Sequence, residues 1–259
     1  MAGKNRVKQQ ANKQAKRDME RLDRVAESER KHVSHYKLDW FKPTPKQMDI
    51  CESYYSNMLT AVQGSSGTGK STATIWLALN DIKERRYEKI VFCKTPAELG
   101  DDKIGFLTGS AKEKLTMHFD SMRGIFHTFM TKEKLIMEEA NDNIEFTIPN
   151  FIAGRTIDNA IFILDEAQLL SVGTTKLLLE RAGRNTKVVV LGDKGQTYAC
   201  KHRDDGFTDF VKRITDVLEE NDGTLVRGPV VPGFGYVEMG ADENMRSDLS
   251  KAIVNLYEA

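Results

Sequence analysis

One eight-residue segment constrains the fold of this chain more than any other part of its sequence. Residues 64–71 (GSSGTGKS) match the pattern G-x-x-x-x-G-K-[ST] at every required position. The segment before it, 58–63, is apolar enough for a buried strand, and 71–83 carries apolar residues at helical spacing. A strand, a glycine-rich loop and a helix in this order bind phosphate, because backbone N–H groups at the helix start point at the phosphate oxygens. The sequence therefore predicts a phosphate-binding loop.

The residues of this loop predict a nucleotide ligand, with ATP and Mg²⁺ as the expected cofactors. Gly64, Gly67 and Gly69 allow backbone angles and close approaches that a Cβ atom would prevent. Lys70 is expected to reach the β and γ phosphates, and Ser71 is expected to bind Mg²⁺. The predicted nucleotide-binding residues of the loop are Gly64, Ser65, Ser66, Gly67, Thr68, Gly69, Lys70 and Ser71.

Two acidic residues after a second apolar segment predict the catalytic centre. Residues 161–164 (IFIL) suit a buried strand, and Asp165 and Glu166 follow directly. At the carboxyl end of a parallel strand beside a phosphate loop, Asp165 is expected to hold Mg²⁺, directly or through water. Glu166 is expected to take the proton from the attacking water.

A third apolar segment, 187–191, also ends next to polar residues. Gly192 and Asp193 follow it, and Gln196 comes three residues later. This place suits a residue that senses the γ phosphate, and Gln196 is the candidate. The alternative is that Asp193 and Gln196 only form a tight turn, since the sequence Gly-Asp-Lys-Gly is typical of one.

The alternation of apolar strands and helices predicts an α/β fold. We expect a doubly wound, mostly parallel sheet, with the nucleotide at the carboxyl edge of its strands. Residues 111–140 are expected to form one or two helices, interrupted near Gly124. The glycines and prolines of 221–235 predict a loop or hairpin.

The composition excludes several other classes of protein. Hydrophobic residues make up 40% and charged residues 29%, which is typical of folded domains and not of disordered chains. No apolar run reaches the roughly 18 residues of a membrane span, and no apolar stretch follows the basic amino end, so we expect a cytoplasmic protein without a membrane partner. Cys51, Cys93 and Cys200 are widely spaced and are expected to be buried thiols.

The charges divide the chain into a basic arm and one domain. Residues 1–37 contain 11 Lys and Arg against 5 Asp and Glu, whereas 38–259 contain 27 against 33. Pro43 places the boundary, so we expect an arm (1–42) and a P-loop domain (43–259). The arm is expected to be helical or disordered. It either lies along nucleic-acid phosphates or is a solvated segment that binds nothing in particular.

Taken together, these motifs resemble the PhoH family. The segments that carry the resemblance are Gln47, 94–114 (KTPAELGDDKIGFLTGSAKEK), 153–168 (AGRTIDNAIFILDEAQ), 187–196 (KVVVLGDKGQ) and 243–257 (ENMRSDLSKAIVNLY). They follow the order of the family and cover most of 43–259. The family usually has arginine where this chain has Lys94. The resemblance implies a single RecA-like ATPase core related to superfamily 1 helicases.

The resemblance also implies roles for residues outside the loop. Gln47 would read the adenine edge, although without the family it would be taken for an exposed helix residue. Gln168 would couple the metal site to the nucleic-acid side. A hexameric ring would place an arginine of one copy at the γ phosphate of the next, with Arg246 as the first candidate and Arg155 as the second. The alternative for Arg246 is a surface residue paired with Asp242 or Glu243.

These observations predict an ATP-hydrolysing motor or switch linked to RNA or single-stranded DNA and acting as an oligomeric ring. One alternative is an ATP-dependent assembly or scaffold protein without translocation. A third, weaker candidate is a small-molecule kinase, because the same loop serves that chemistry. The DEAQ segment followed by GD-x-x-Q favours water activation over phosphate transfer to a metabolite.

Overall fold

A computed structural model describes residues 36–96, 111–199, 205–215, 220–221, 224–225 and 233–258. Several predictions concern residues outside these ranges: most of the basic arm (1–35), the middle of the family-like segment (97–110) and Cys200. Cys51 and Cys93 are buried free thiols, as expected. Within the described ranges, no helix is both long and apolar enough to cross a membrane.

The described residues alternate between strands and helices. The helices are α1 (Pro45–Ser56), α2 (Lys70–Lys83), α3 (Ala111–Phe126), α4 (Lys132–Ala140), α5 (Pro149–Ile152), α6 (Val172–Leu179), α7 (Gly206–Thr215) and α8 (Asp248–Glu258). The strands are β1 (Leu59–Gly64), β2 (Lys89–Lys94), β3 (Ile144–Thr147), β4 (Ala160–Asp165), β5 (Lys187–Gly192), β6 (Glu220–Asn221), β7 (Thr224–Leu225) and β8 (Phe234–Met239). Short 3₁₀ turns span Ala167–Leu169, Lys194–Ala199 and Ala241–Glu243.

Six of these strands form one parallel sheet in the order β3-β2-β4-β5-β1-β8. Every neighbouring pair in it is parallel, so all six carboxyl ends meet at one edge. The chain begins the sheet at β1, crosses to β2 and the edge strand β3, and returns through β4 and β5 to β8 on the far side of β1. The predicted doubly wound α/β fold is confirmed. Strand β5 lies between β1 and β4, so its end separates the phosphate loop from Asp165.

Helices cover both faces of the sheet, and alternate strand residues point into two separate cores. The first core joins α1, α2 and α3 to one face and includes Tyr54, Ile75, Leu77, Phe92, Met122, Phe126 and Ile163. The second joins α6 and α7 to the other face and includes Val91, Phe162, Leu164, Leu178, Val190, Phe207 and Val211. This double burial explains why the central strands are continuously apolar in the sequence.

The structure differs from the sequence prediction in two places. The region 111–140 forms two helices, as predicted, but the interruption lies at 127–131 and Gly124 itself lies inside α3. The region predicted as a loop or hairpin does contain a short antiparallel pair, β6 and β7. Its last residues, however, begin β8, which the sequence prediction missed and which pairs with β1 along its full length.

Candidate nucleotide-binding site

Two glycines give the loop after β1 its shape. Gly67 (φ 84°) and Gly69 (φ 77°) both have left-handed backbone conformations, which glycine adopts without steric cost. A Cβ atom on Gly69 would also lie 2.6 Å from Nε2 of Gln47 and 2.9 Å from Cε of Met245. The loop therefore needs glycine at position 69 both for its backbone angle and for its close neighbours.

Lys70 opens α2 and folds back onto the loop. Its ammonium Nζ donates to the carbonyl oxygens of Gly64 (2.8 Å) and Ser65 (3.3 Å). The Thr68 hydroxyl donates to the same Ser65 carbonyl at 3.0 Å, which closes the turn from within. The positive charge predicted to meet the phosphates is thus held at the loop itself.

Ser71 and Asp165 come together although they are far apart in the sequence. The Ser71 hydroxyl lies 3.4 Å from Oδ1 of Asp165, and Asp165 is almost completely buried. Burial raises the pKa of Asp165, while the nearby Lys94 ammonium opposes that shift and the Glu166 carboxylate adds to it. A serine hydroxyl and a carboxylate are the hard oxygen ligands that Mg²⁺ prefers, so the pair fits the predicted metal.

The described residues contain no group of three or more His, Cys, Asp or Glu side chains able to hold a metal. Mg²⁺ does not require one, because it usually keeps several waters and binds through one or two protein ligands plus substrate phosphates.

Glu166 has an unusual backbone conformation. It lies in the left-handed region (φ 57°, ψ 42°), which costs a non-glycine residue roughly 1–2 kcal/mol. Its N–H donates to Oδ1 of Asp165 at 3.1 Å, and its carboxylate accepts from Nε2 of Gln168 at 2.8 Å. The side chain is 31% exposed, so water can reach the carboxylate. Strain of this kind is concentrated at functional sites, which fits the predicted role of Glu166 as a base.

Lys94, at the end of β2, provides a cation beside the two acids. Its Nζ lies 3.4 Å from Oδ2 of Asp165 and 3.6 Å from Oε1 of Glu166. Burial lowers the pKa of Lys94, but the two carboxylates more than offset this effect and the net shift is upward. The Lys94 carbonyl in turn contacts Nε2 of His118 on α3 at 3.1 Å. In the sequence, Lys94 stood out only as a departure from the family pattern, and its place beside the acids was not predicted.

A line of hydrogen bonds joins Glu166 to the end of β5. Gln168 is buried; it donates to Glu166 and accepts from the Asp193 N–H at 3.2 Å. Asp193 Oδ2 accepts from Nε2 of Gln196 at 2.7 Å, and its Oδ1 accepts from the Gly195 N–H at 2.9 Å. These bonds are the turn chemistry considered as the alternative. They also place Gln196 at the strand end between loop and acids, where its γ-phosphate role stays a prediction.

Gln47 is buried against the phosphate loop. It caps α1 through a reciprocal pair of hydrogen bonds with Thr44, and its Nε2 donates to the Thr68 carbonyl at 3.3 Å. The alternative of an exposed helix residue is therefore wrong. Side-chain oxygen and nitrogen are both engaged in these contacts, and adenine recognition by Gln47 stays a prediction.

The two candidate arginines occupy different surroundings. Arg155 forms an ion pair with Glu145 on the edge strand β3. Arg246 is exposed, and no ion pair involves it among the residues that the structure describes. Asp242, its expected partner in the surface-pair alternative, pairs with Lys251 at 3.3 Å instead.

A contact between the end of the chain and the loop was not predicted from the sequence. Nδ2 of Asn244 donates to the Ser66 carbonyl at 2.8 Å, and the Met245 N–H donates to the Gly67 carbonyl at 3.0 Å. No local pattern signals this contact, because the two segments are 178 residues apart.

Comparison with known proteins identifies relatives over most of the chain. A family model described as PhoH-like protein matches residues 42–258. The PhoH-like protein of Bacillus subtilis (strain 168) is 28% identical over 215 residues, which are 83% of this chain and 63% of that protein. Protein PhoH of Escherichia coli (strain K12) is 26% identical over 216 residues, 82% of this chain and 56% of that protein. The chain thus spans about three fifths of the length of these relatives.

Solved structures give weaker similarity. The Hef helicase domain of Pyrococcus furiosus matches with a TM-score of 0.42 and 13% identity, covering 79% of this chain and 40% of that one. A second solved structure, an ATPase domain, matches with a TM-score of 0.29 and 15% identity, covering 72% of this chain and 76% of that one.

Proposed function

The chain belongs to the PhoH-like protein family, and from this premise we propose that it is an ATP-hydrolysing enzyme. The observation that carries the proposal is the meeting of Ser71, Asp165 and Glu166 beside the phosphate loop. Ser71 lies in the first turn of α2 and Asp165 ends β4, 94 positions away in the sequence, so only the fold brings them together. A phosphate loop, a buried carboxylate for a metal and a solvent-accessible carboxylate for water are the parts that hydrolysis needs.

Each residue has a separate task in the proposed reaction. The loop N–H groups and Lys70 would bind the phosphates, and Ser71 and Asp165 would hold the metal. A bound Mg²⁺ would neutralise charge on the phosphates. Glu166 accepts the proton of the attacking water, and Gln168 keeps its carboxylate oriented. Gln196, which is hydrogen-bonded to Asp193 at the end of β5, would respond to the γ phosphate.

We further propose RNA or single-stranded DNA as the partner and a hexameric ring as the working assembly. The family resemblance and the excess of 11 basic over 5 acidic residues in 1–37 support these proposals. A scaffold whose assembly depends on ATP is the second candidate. It is favoured by α8, which leaves the large apolar side chains Leu249, Ile253 and Leu256 exposed.

Two substitutions test hydrolysis directly. Lys70→Ala removes a phosphate-binding charge, so we expect weaker ATP binding as well as lost turnover. Glu166→Gln keeps the pocket but removes the base, so turnover should fall by about 10²–10⁴-fold with ATP affinity retained. Steady-state ATPase rates and equilibrium titration with a fluorescent ATP analogue measure both quantities.

The matched control is Glu88→Gln, an exposed carboxylate just before β2 at the opposite edge of the sheet. It should leave turnover unchanged. Near-normal hydrolysis by the Glu166→Gln protein would remove Glu166 as the base. The nucleic-acid proposal is tested separately, by ATPase rates with single-stranded RNA, single-stranded DNA and duplexes at several salt concentrations. Absence of any stimulation would favour the scaffold.

A further inference from the structure

Asn244 has an unusually complete set of hydrogen bonds for a residue near the end of the chain. It is only 8% exposed, and its Nδ2 donates to the Ser66 carbonyl (2.8 Å) and to the Ser250 hydroxyl (3.1 Å). Its Oδ1 accepts from the Arg246 N–H at 3.0 Å. Both amide hydrogens are therefore used, and the backbone donor fixes which end of the side chain is oxygen.

The next residue adds a second bond to the same part of the loop. The Met245 N–H donates to the Gly67 carbonyl at 3.0 Å, so two successive loop carbonyls are held by residues 244–245. The amide of Asn244 also lies 3.0 Å from the position of a Cβ on Gly67. Residues 244–245, called the terminal segment below, thus pack directly on the left-handed turn of the phosphate loop.

These bonds determine where the loop N–H groups point. In a trans peptide the C=O and N–H bonds are antiparallel. When Asn244 and Met245 hold the carbonyls of Ser66 and Gly67, the N–H groups of Gly67 and Thr68 must face away from the terminal segment. Successive N–H groups that face one side form an anion-binding concavity. The terminal segment therefore orients phosphate donors without touching the phosphate.

We propose that Asn244 is a positioning residue that holds the phosphate loop in its binding conformation and links it to α8. The link runs from the Ser66 carbonyl through the Asn244 amide to Ser250 in the first turn of α8. The proposal rests on the proposed function in taking a nucleotide as the ligand. It goes beyond the proposed function by assigning a regulatory connection. A ligand that binds α8 then changes the affinity for the nucleotide, and the nucleotide changes the affinity of α8 for that ligand by the same factor.

The decisive substitution is Asn244→Asp. Aspartate has the same shape and keeps an acceptor for the Arg246 N–H, but it places a charged oxygen against the Ser66 carbonyl in place of a donor. We expect Mg²⁺·ADP to bind about tenfold more weakly, because one hydrogen bond is lost and the Ser66 carbonyl then faces a charged oxygen. ADP serves as the probe because it binds without turnover, and isothermal titration calorimetry gives the affinity.

The matched control is Ser250→Ala, which removes only the hydroxyl at the α8 end of the link. Nδ2 of Asn244 keeps its bond to the Ser66 carbonyl, so ADP affinity should change by less than about twofold, because the bond that is lost does not touch the phosphate loop. A purely structural role of Asn244 would instead lower the melting temperature and leave the affinity of the folded protein unchanged.

A second measurement starts from the wild-type protein and compares it with Ser250→Ala. Hydrogen exchange of the α8 backbone amides (248–258) should slow when Mg²⁺·ADP binds wild-type protein, and this slowing should shrink in the Ser250→Ala protein. Equal ADP affinity of Asn244→Asp and wild type, or α8 exchange that is indifferent to ADP, overturns the proposal while leaving nucleotide binding intact. Failure of the wild type to bind ADP or ATP overturns both the positioning role and the proposed function.

Discussion

At the residue scale, the electrostatics of the two acids is the central feature of the site. Asp165 is almost wholly buried, and Glu166 lies next to it in the sequence and in space. Two carboxylates so close together repel each other, and burial of one adds a desolvation cost. Lys94 lies within 3.6 Å of both and offsets this cost when no metal is bound. In the proposed nucleotide complex, a bound Mg²⁺ would take over this task.

We therefore expect Lys94→Met to destabilise the nucleotide-free protein by about 2 kcal/mol. Breaking a fully buried pair costs more, but the Lys94 side chain is 23% exposed and solvent screens part of its charge. Mg²⁺·ADP should stabilise this variant more than wild type, because the metal replaces the lost charge. Melting temperatures with and without Mg²⁺·ADP measure both effects.

Two control variants accompany this prediction. Lys94→Arg keeps the charge and should melt close to wild type. Lys89→Met changes the first residue of the same strand, at the other edge of the sheet, and should show no extra response to Mg²⁺·ADP. Equal melting temperatures for Lys94→Met and wild type would show that the ammonium contributes nothing to holding the acids.

At the element scale, α2 ends in a Schellman motif with a residue that is poorly suited to it. The Arg86 N–H donates to the Asp81 carbonyl (2.9 Å) and the Arg85 N–H donates to the Ile82 carbonyl (3.0 Å). Arg85 consequently has φ 58°, the left-handed conformation in which glycine is preferred. We expect Arg85→Gly to raise the free energy of unfolding by about 1 kcal/mol, by removing the Cβ strain. Denaturant melts measure it.

Arg85→Ala is the control, because alanine keeps the Cβ atom while losing the same exposed side chain. It should leave stability within about 0.5 kcal/mol of wild type, the usual range for surface substitutions. If Arg85→Ala raised the free energy of unfolding as much as Arg85→Gly, the destabilisation would come from the arginine side chain and not from the backbone conformation.

The elements that the sequence predicted well are those with both faces buried. Strands β1, β4 and β5 are apolar throughout, so their positions could be predicted to within about one residue. Strand β8 is an edge strand whose burial alternates, and Gly235 lies within it for a reason other than a turn. A Cβ on Gly235 would collide with Ser53 and Asn57 of the neighbouring helix end, so the glycine permits close packing.

Gly124 led to the opposite kind of error, because a helix break was predicted near it although it lies inside α3. Its Cβ position is open space, and α3 continues through it because Met122 and Phe126 on either side are fully buried. Glycine costs a helix interior only about 1 kcal/mol relative to alanine, which tertiary packing of two such side chains easily exceeds. A single glycine therefore does not determine where a packed helix ends.

At the scale of the whole molecule, the parallel arrangement of the strands brings together site residues that are distant in the sequence. The motifs at 64–71, 165–166 and 193–196 each follow a strand, and parallel strands end at one edge, so their meeting could be predicted. Lys94 also lies at a strand end, but its pairing with the acids depends on β2 lying next to β4. The Asn244 contact depends on the return of the chain beside β1 through β8, an element that was not predicted.

The proposed ring depends on where Arg246 acts. Arg246 has no ion pair among the described residues and lies two positions from Asn244, which contacts the phosphate loop of its own chain. It could act on that loop or, as the ring proposal requires, on the site of the next copy. An arginine supplied by a neighbour is worth about 10³–10⁵ in rate, so Arg246→Ala alone should be nearly inactive in either case, as should Lys70→Ala.

Mixing the two variants separates the alternatives. In a ring, an Arg246→Ala subunit keeps its Lys70, and a Lys70→Ala neighbour can supply the arginine across the interface. Random equal mixing creates such an interface at about a quarter of positions, so a heterologous ring should regain about a quarter of wild-type ATPase activity. Arg155→Ala in place of Arg246→Ala is the parallel test for the second arginine. If mixed rings form and stay inactive in both experiments, neither arginine acts between copies and the shared-site proposal is wrong.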